Sequence, residues 1–83
     1  MDTERFKDFG ENVRRIRVAA GLSQIVIAER MGIDQGNYSR LERGTAKPTL
    51  QTLFRLSEAL ECEPYELLLP TDLAPLIALV KPL

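Results

Sequence analysis

Apolar residues recur three and four positions apart over the first quarter of the chain, as they do on one side of an α-helix. The residues of this stripe are Phe6, Phe9, Val13, Ile16 and Ala20. Gly21 follows the stripe, and a glycine can adopt the left-handed conformation that ends a helix. The pattern therefore predicts a first helix that ends at Gly21.

Two shorter helices are predicted next, each with its own start signal. Ser23 is a suitable N-cap for a second helix over about residues 24–31, and Asp34 for a third over about residues 35–43. Leu22 and Ile33 precede these caps, where an apolar residue can pack back onto its own helix. The glycines that end the two helices are Gly32 and Gly44. The pattern predicts two short helices joined by a three-residue turn.

The remaining pattern adds two more helices. Thr49 is the predicted N-cap of a fourth helix, and Pro64 suits the first position of a short fifth helix that Pro70 ends. The fourth helix offers for burial Leu50, Leu53, Phe54, Leu56 and Leu60. Apolar and polar residues do not alternate over any length before residue 75, so the predicted fold class is all-α.

Composition excludes several kinds of functional site. The chain has no histidine and a single cysteine, Cys62, so it lacks the ligands of Cys/His zinc sites, the base of His-dependent catalysis and any internal disulfide. We therefore expect no enzyme activity, no metal and no cofactor. No apolar run approaches the about 18 residues of a membrane span, and the acidic start is unlike a signal peptide. A cytoplasmic protein without a membrane partner is expected.

Charge is unevenly distributed along the chain. The formal net charge is −1, but residues 12–56 contain eight basic and three acidic residues, whereas residues 57–83 contain one basic and five acidic residues. A basic middle between acidic ends favours a face that binds a polyanion. The alternative is a solvated surface on which the charges happen to cluster.

The middle of the chain contains the run Gln24-x-x-Ile27-Ala28-x-x-x-Gly32-Ile33-x-x-x-x-Tyr38-Ser39-x-Leu41-Glu42-x-Gly44, preceded by Arg17-x-x-x-Gly21-Leu22-Ser23 and followed by Lys47-Pro48-Thr49. It resembles the Cro and lambda-repressor-like, or XRE-type, helix-turn-helix family over about residues 9–69. The resemblance implies a compact five-helix DNA-binding domain over residues 1–70. It also implies a transcriptional regulator, in a bacterial or phage-infected bacterial cell, whose partner is double-stranded DNA.

The third helix is the expected recognition helix, because in such motifs the second of the two crossed helices enters the major groove. With Tyr38 and Leu41 directed to the core, its outward side chains are Gln35, Asn37 and Arg40. Gln and Asn can pair with the N6/N7 edge of adenine, and Arg with O6/N7 of guanine. These three residues are the predicted base contacts, and ordinary solvated helix surface is the alternative.

The resemblance assigns further roles. It implies that Gln24, at the start of the second helix, contacts a DNA phosphate. Three residues at and after the end of the third helix are further predicted backbone contacts, namely Arg43, Thr45 and Lys47. The family also pairs the residues that correspond to Arg17 and Glu42, which implies a structural ion pair between the first and third helices.

Residues 71–83 form an apolar C-terminal segment whose structure the pattern leaves open. We expect it to mediate homodimerisation on a partly palindromic operator, since dimers of this kind bind two half-sites. The predicted interface residues are Leu76, Ile77, Leu79 and Val80. The alternative is that the segment packs over its own core. A second possible function is an antitoxin-like module that binds a partner protein through this segment or through Ile25 and Val26, with DNA binding secondary.

Overall fold

A computed structural model describes residues 2–70, with side chains from Phe6 onward. The helices are α1 (Asp2–Ala19), α2 (Gln24–Met31), α3 (Gln35–Arg43), α4 (Leu50–Leu60) and α5 (Pro64–Leu68). The described residues contain no strand, so the all-α prediction is confirmed. None of the helices in this part of the chain is long and apolar enough to cross a membrane. The proposed interface residues Leu76, Ile77, Leu79 and Val80 lie outside the described residues.

The ends of α2 and α3 follow from local capping chemistry. The Ser23 side chain accepts a hydrogen bond from the Val26 N–H at 3.2 Å, and the Asp34 carboxylate accepts one from the Asn37 N–H at 3.0 Å. Each bond satisfies a backbone donor that has no partner inside its helix. Gly32 ends α2 in the left-handed conformation, with φ of 72°. The chain therefore turns sharply between the two helices without a strained residue.

The core lies where α1, α2, α3 and α4 meet. Its fully buried side chains include Val13, Ile27, Tyr38 and Leu56, one from each of these helices. Leu22 and Ile33, which precede the caps of α2 and α3, pack against the same core. Burial of such side chains is the main stabilising contribution in a small domain, at roughly 1.5–3 kcal/mol for a fully buried aliphatic residue. This shared core sets the angle at which α3 is presented to solvent.

A glycine allows α1 and α3 to approach closely. A Cβ on Gly10 would overlap the Glu42 carbonyl oxygen and would lie 2.7 Å from the Leu41 carbonyl oxygen. These are backbone atoms at the end of α3, so they cannot rotate away as a side chain can. Gly10 is therefore required by packing, although it lies inside a helix, where glycine costs about 1 kcal/mol relative to alanine.

A buried asparagine ties α1 to the end of α5. The Asn12 side chain is fully buried, and its amide donates hydrogen bonds to the carbonyls of Leu67 at 3.2 Å and Leu69 at 2.6 Å. These carbonyls belong to the C-terminal end of a helix, where intrahelical partners are missing. The Asn12 side chain, which belongs to α1, therefore supplies the hydrogen bonds that a C-cap would otherwise give to the end of α5.

Two residues of α4 differ from the sequence-based expectation. Leu50 and Phe54 were predicted to be available for burial, but their exposed fractions are 73% and 52%. The reason is geometric, because residues four positions apart lie on the same face of a helix, and this face points away from the core that Leu53, Leu56 and Leu60 contact. Ala20, which was assigned to the apolar stripe of the first helix, is also exposed and follows the end of α1.

Candidate nucleic-acid interface

The two crossed helices α2 and α3 give α3 one buried and one exposed face. The buried face consists of Tyr38, Leu41 and Glu42. The exposed face carries Gln35, Asn37, Arg40 and Arg43, which are the candidate base-contacting residues and one candidate backbone contact. A single helix can therefore be held by the protein on one side and present donors and acceptors to a groove on the other.

The three predicted base contacts differ in how many of their polar atoms are already hydrogen-bonded within the protein. Arg40 is exposed and forms no ion pair within the described residues. The Asn37 amide donates to Asp34 Oδ2 at 2.8 Å, which leaves its oxygen and one N–H for another partner. Gln35 donates from Nε2 to Gln24 Oε1 at 3.4 Å. Two of the three side chains thus have partly defined orientations in the absence of DNA.

The candidate contacts to the DNA backbone lie at separate positions on the surface. Thr45 and Lys47 lie in the loop after α3, and both line a groove of about 470 Å³ between α3, this loop and α4. Arg40 lines the same groove, whereas Arg43 lies on the last turn of α3 outside it. The Thr45 backbone N–H donates to the Arg40 carbonyl at 3.1 Å, which holds the loop against the end of α3.

Two residues of α4 that sequence reasoning did not single out, Thr52 and Arg55, complete this groove. Arg55 adds a third cation beside Arg40 and Lys47. The only signal in the sequence was its place in the basic block of residues 12–56. No motif indicates that α4 turns this residue toward the loop, because the orientation depends on how α4 packs on α2.

Gln24 takes part in a buried polar network, centred on Glu42, that joins α1, α2 and α3. Arg17 approaches the Glu42 carboxylate with two nitrogens, Nε to Oε2 at 2.6 Å and Nη2 to Oε1 at 3.2 Å. The Tyr38 hydroxyl donates to Oε2 at 2.6 Å, and Gln24 Nε2 donates to Oε1 at 3.0 Å. The ion pair implied by the resemblance is therefore present, and Gln24 is one of its partners.

Burial and hydrogen bonding act in opposite directions on the central carboxylate. Burial alone would raise the pKa of Glu42, but the hydrogen bonds from Arg17, Tyr38 and Gln24 outweigh it, so the pKa lies below its usual value. The same contacts raise the pKa of Arg17, chiefly through its hydrogen bond to Glu42. Burial and the bond to Glu42 raise the pKa of Tyr38. Glu42 is thus ionised and Tyr38 is a neutral donor at physiological pH.

Comparison with known proteins places this arrangement in a family. The family model HTH_3, described as helix-turn-helix, matches residues 13–67. A protein from Sinorhizobium fredii, the HTH-type transcriptional regulator y4dJ, is 42% identical over 66 residues, which are 80% of this chain and 86% of that protein.

Two solved structures resemble the chain. The restriction-modification controller protein C.AhdI from Aeromonas hydrophila has a TM-score of 0.72 and 37% identity, with 75% of this chain and 94% of that chain covered. A hypothetical transcription factor, NHTF from Neisseria, has a TM-score of 0.81 and 28% identity, with 96% and 90% covered. The chain therefore belongs to the HTH_3, XRE-type helix-turn-helix family of DNA-binding transcriptional regulators.

Proposed function

We propose that this protein binds a partly palindromic operator in bacterial cytoplasm as a homodimer, with α3 in the major groove of each half-site. The observation that carries the proposal is the two-sided character of α3, whose buried face is held by the Glu42 network while its exposed face presents Gln35, Asn37 and Arg40. The relatives are described as transcriptional regulators and a controller protein, which favours this function over an antitoxin-like module.

The exposed groups of α3 match the chemistry of base edges. An amide offers one donor and one acceptor side by side, which matches N7 and N6 of adenine, and a guanidinium offers two donors, which match O6 and N7 of guanine. In this proposal Gln35 and Asn37 contact adenine and Arg40 contacts guanine. Each good bidentate contact discriminates against the wrong base by about 1–3 kcal/mol.

A second set of groups is proposed to bind the phosphate backbone. Four residues were expected in this role from the sequence, namely Gln24, Arg43, Thr45 and Lys47, and Arg55 joins them because it lines the same groove as Lys47. Gln24 keeps one N–H of its amide for a phosphate, because only the other is needed by Glu42. Such contacts fix the register of the protein on DNA without specifying sequence.

The homodimer is proposed to form through residues 71–83, with Leu76, Ile77, Leu79 and Val80 at the interface. Two apolar side chains on the preceding helix α5 support this assignment, since Tyr65 and Leu68 have exposed fractions of 46% and 61%. Exposed large apolar residues next to an apolar segment are typical of an interface between subunits. Sedimentation of a chain that ends at Pro70 tests the assignment, because a truncated chain that still dimerises would contradict it.

Selection of bound sequences from a random DNA duplex library tests the proposed function. We expect one enriched sequence with two-fold symmetry and half-sites about one helical turn apart. Affinity for it should fall about 10³–10⁵-fold between 50 and 200 mM salt if the dimer makes about 6–10 phosphate contacts. Failure to enrich any sequence would contradict the proposal.

Two variants separate base contacts from backbone contacts. Arg40→Ala should relax specificity at one base pair by about 1–3 kcal/mol, whereas Lys47→Ala should weaken binding to all sequences alike. Arg55→Ala should behave like Lys47→Ala. An equal loss on every sequence from Arg40→Ala would show that Arg40 is not a base contact.

A further inference from the structure

We propose that Glu42, which is buried and does not face DNA, determines the base preference of Gln35 by fixing the orientation of the Gln24 amide. Glu42 would then be a positioning residue for recognition as well as a structural one. This inference rests on the proposed role of α3 in the major groove. It goes beyond the ion pair, because it assigns the carboxylate an effect on which base is bound.

The first step of the inference concerns which end of the Gln24 amide faces inward. An ionised carboxylate can only accept hydrogen bonds, and an amide has one end that donates and one that accepts. Glu42 Oε1 lies 3.0 Å from Gln24 Nε2, so the NH₂ group must face the carboxylate. The reversed amide would place two acceptor oxygens against each other in a half-buried site. The oxygen of Gln24 is therefore directed away from Glu42.

The second step transfers this orientation to the recognition helix. Gln24 Oε1 lies 3.4 Å from Gln35 Nε2. Because an amide oxygen can only accept, Gln35 must turn its NH₂ group toward Gln24, and its own Oε1 and second N–H stay available. This side chain then presents one acceptor and one donor in a fixed order. Adenine, which offers an N6 donor and an N7 acceptor, pairs fully with only one of the two orders, so a fixed order favours adenine, whereas guanine, which offers two acceptors, pairs fully with neither.

The third step concerns the Glu42 carboxylate, which the fold holds in place at the start of this series of hydrogen bonds. Arg17 binds Glu42 with two nitrogens and donates from Nη1 to the Leu22 carbonyl at 2.8 Å. The side chains of Arg17 and Glu42 have exposed fractions of only 13% and 3%. A carboxylate held by donors from three helices cannot rotate to suit a different amide orientation. The rigid, buried Glu42 carboxylate is thus linked through the Gln24 amide to the Gln35 amide, which presents the exposed donor and acceptor.

The test compares base preferences of variants on duplexes that carry each of the four base pairs at every position of the selected sequence. Glu42→Gln replaces the acceptor with a group of the same shape that can donate or accept, so both orientations of the Gln24 amide become possible. We expect the preference for adenine at the position contacted by Gln35 to fall about tenfold, within the range that one bidentate contact supplies. Preferences at the other positions should not change.

Tyr38→Phe is the matched control. It removes another hydrogen bond from the same carboxylate, and so weakens the same network, but it leaves Glu42 able only to accept from Gln24. We expect lower thermal stability with an unchanged base preference. All binding is measured at a temperature at which circular dichroism shows every variant to be folded.

Gln24→Met provides a second route that spares the ion pair. Methionine fills a similar volume without an amide, so the orientation of Gln35 is released and the same base preference should relax by a similar factor. If Glu42→Gln does not fold, an unchanged preference in Gln24→Met still overturns the inference, because the orientation of Gln35 would then not depend on the Gln24 amide. When Glu42→Gln and Gln24→Met are combined in one folded protein, the base preference should relax no further than in either single variant, because both changes break the same series of hydrogen bonds.

The outcomes separate this inference from the function on which it rests. A wild-type protein that selects no sequence contradicts the proposed function, and a Gln35→Ala variant with unchanged preferences contradicts the proposed base contact of Gln35. Either result removes the basis of the inference. If Gln35→Ala changes the preference at one base pair but either Glu42→Gln or Gln24→Met retains the wild-type preference, the proposed function stands and Glu42 has no positioning role. A relaxed preference in Tyr38→Phe would also overturn the inference, since general loosening of the network would then explain the effect.

Discussion

The two faces of α3 differ in how their polar groups are satisfied. On the buried face, the Glu42 carboxylate accepts hydrogen bonds from Arg17, Tyr38 and Gln24, and every buried side-chain nitrogen or oxygen in the described residues has a hydrogen-bond partner. On the exposed face, Arg40 and Arg43 form no ion pair within residues 6–70. One nine-residue helix thus combines a fully satisfied side with a side that has unused donors.

This difference implies that residues on the exposed face can be changed without loss of stability, whereas changes on the buried face lower it. Leaving a buried polar group without its partner costs about 1–3 kcal/mol, and more when the group is charged. Substitutions of exposed side chains away from such groups usually change the free energy of unfolding by less than about 0.5 kcal/mol. Substitutions on the buried face should therefore lower the free energy of unfolding, whereas those on the exposed face should change DNA binding alone.

The largest effect on stability is expected from Arg17→Ala. It leaves the Glu42 carboxylate buried without its cation, and breaking one side of a buried pair costs about 3–5 kcal/mol. The value here should lie near the lower limit, since Tyr38 and Gln24 still donate. In a domain of this size a loss of about 3 kcal/mol lowers Tm by more than about 10 °C, which thermal unfolding followed by circular dichroism measures.

Arg14→Ala is the control for this substitution, because it removes the same charge from an exposed position on the same helix. Its Tm should stay within about 3 °C of the wild-type value. Equal Tm values for Arg17→Ala and the wild type would show that the ion pair does not stabilise the fold.

The next largest effect is expected from Gly10→Ala. The added methyl group would meet the carbonyl oxygens at the end of α3, which forces α1 and α3 apart. Overpacking costs about 1–3 kcal/mol, and because the atoms met here are backbone atoms, the cost should lie in the upper part of this range, above the gain of about 1 kcal/mol in helix propensity from glycine to alanine. Chemical denaturation measures the difference. Glu11→Ala, at the adjacent exposed position, is the control, and a Gly10→Ala variant as stable as this control would refute the close contact.

The parts of the fold that the sequence predicted well depend on neighbouring residues in the chain. The bounds of α2 and α3 follow from Ser23 and Asp34 as caps and from the glycines after each helix, and the structure has these caps. Capping acts within one turn, so a single sequence contains all the information it needs. The Arg17–Glu42 pair, in contrast, was implied only by the family resemblance.

The parts that the sequence did not predict depend on tertiary contacts. No pattern in the sequence marks Asn12 as a buried residue, because the carbonyls that it binds at the end of α5 lie 55 and 57 residues away. The exposure of Leu50 and Phe54 depends on which face of α4 meets the core. Gln24 was expected to face DNA, and its bond to Glu42 depends on the crossing of α2 over α3.

A smaller effect on the free energy of unfolding is expected when the pH is lowered. Because the pKa of Glu42 lies below its ordinary value of 4.5 in the folded state, the stability that its ionised form contributes is complete above pH 4.5 and is lost as pH falls through the lowered pKa. Burial opposes the hydrogen bonds at this carboxylate, which limits the size of the effect. Glu42→Gln should lose less stability than the wild type between pH 5 and pH 3, as measured by denaturation at each pH. Parallel pH profiles would contradict this assignment.

The smallest effect on stability is expected from the exposed face itself. Arg40→Ala removes an exposed side chain that forms no ion pair in the described part of the chain, so the free energy of unfolding should change by less than about 0.5 kcal/mol. Chemical denaturation of this variant, beside Arg17→Ala, compares the two faces directly. A loss above about 1 kcal/mol would mean that Arg40 is held by the fold. Unchanged stability together with relaxed specificity would assign this side chain to DNA alone, because its loss would then change which base pair is bound without changing how the protein folds.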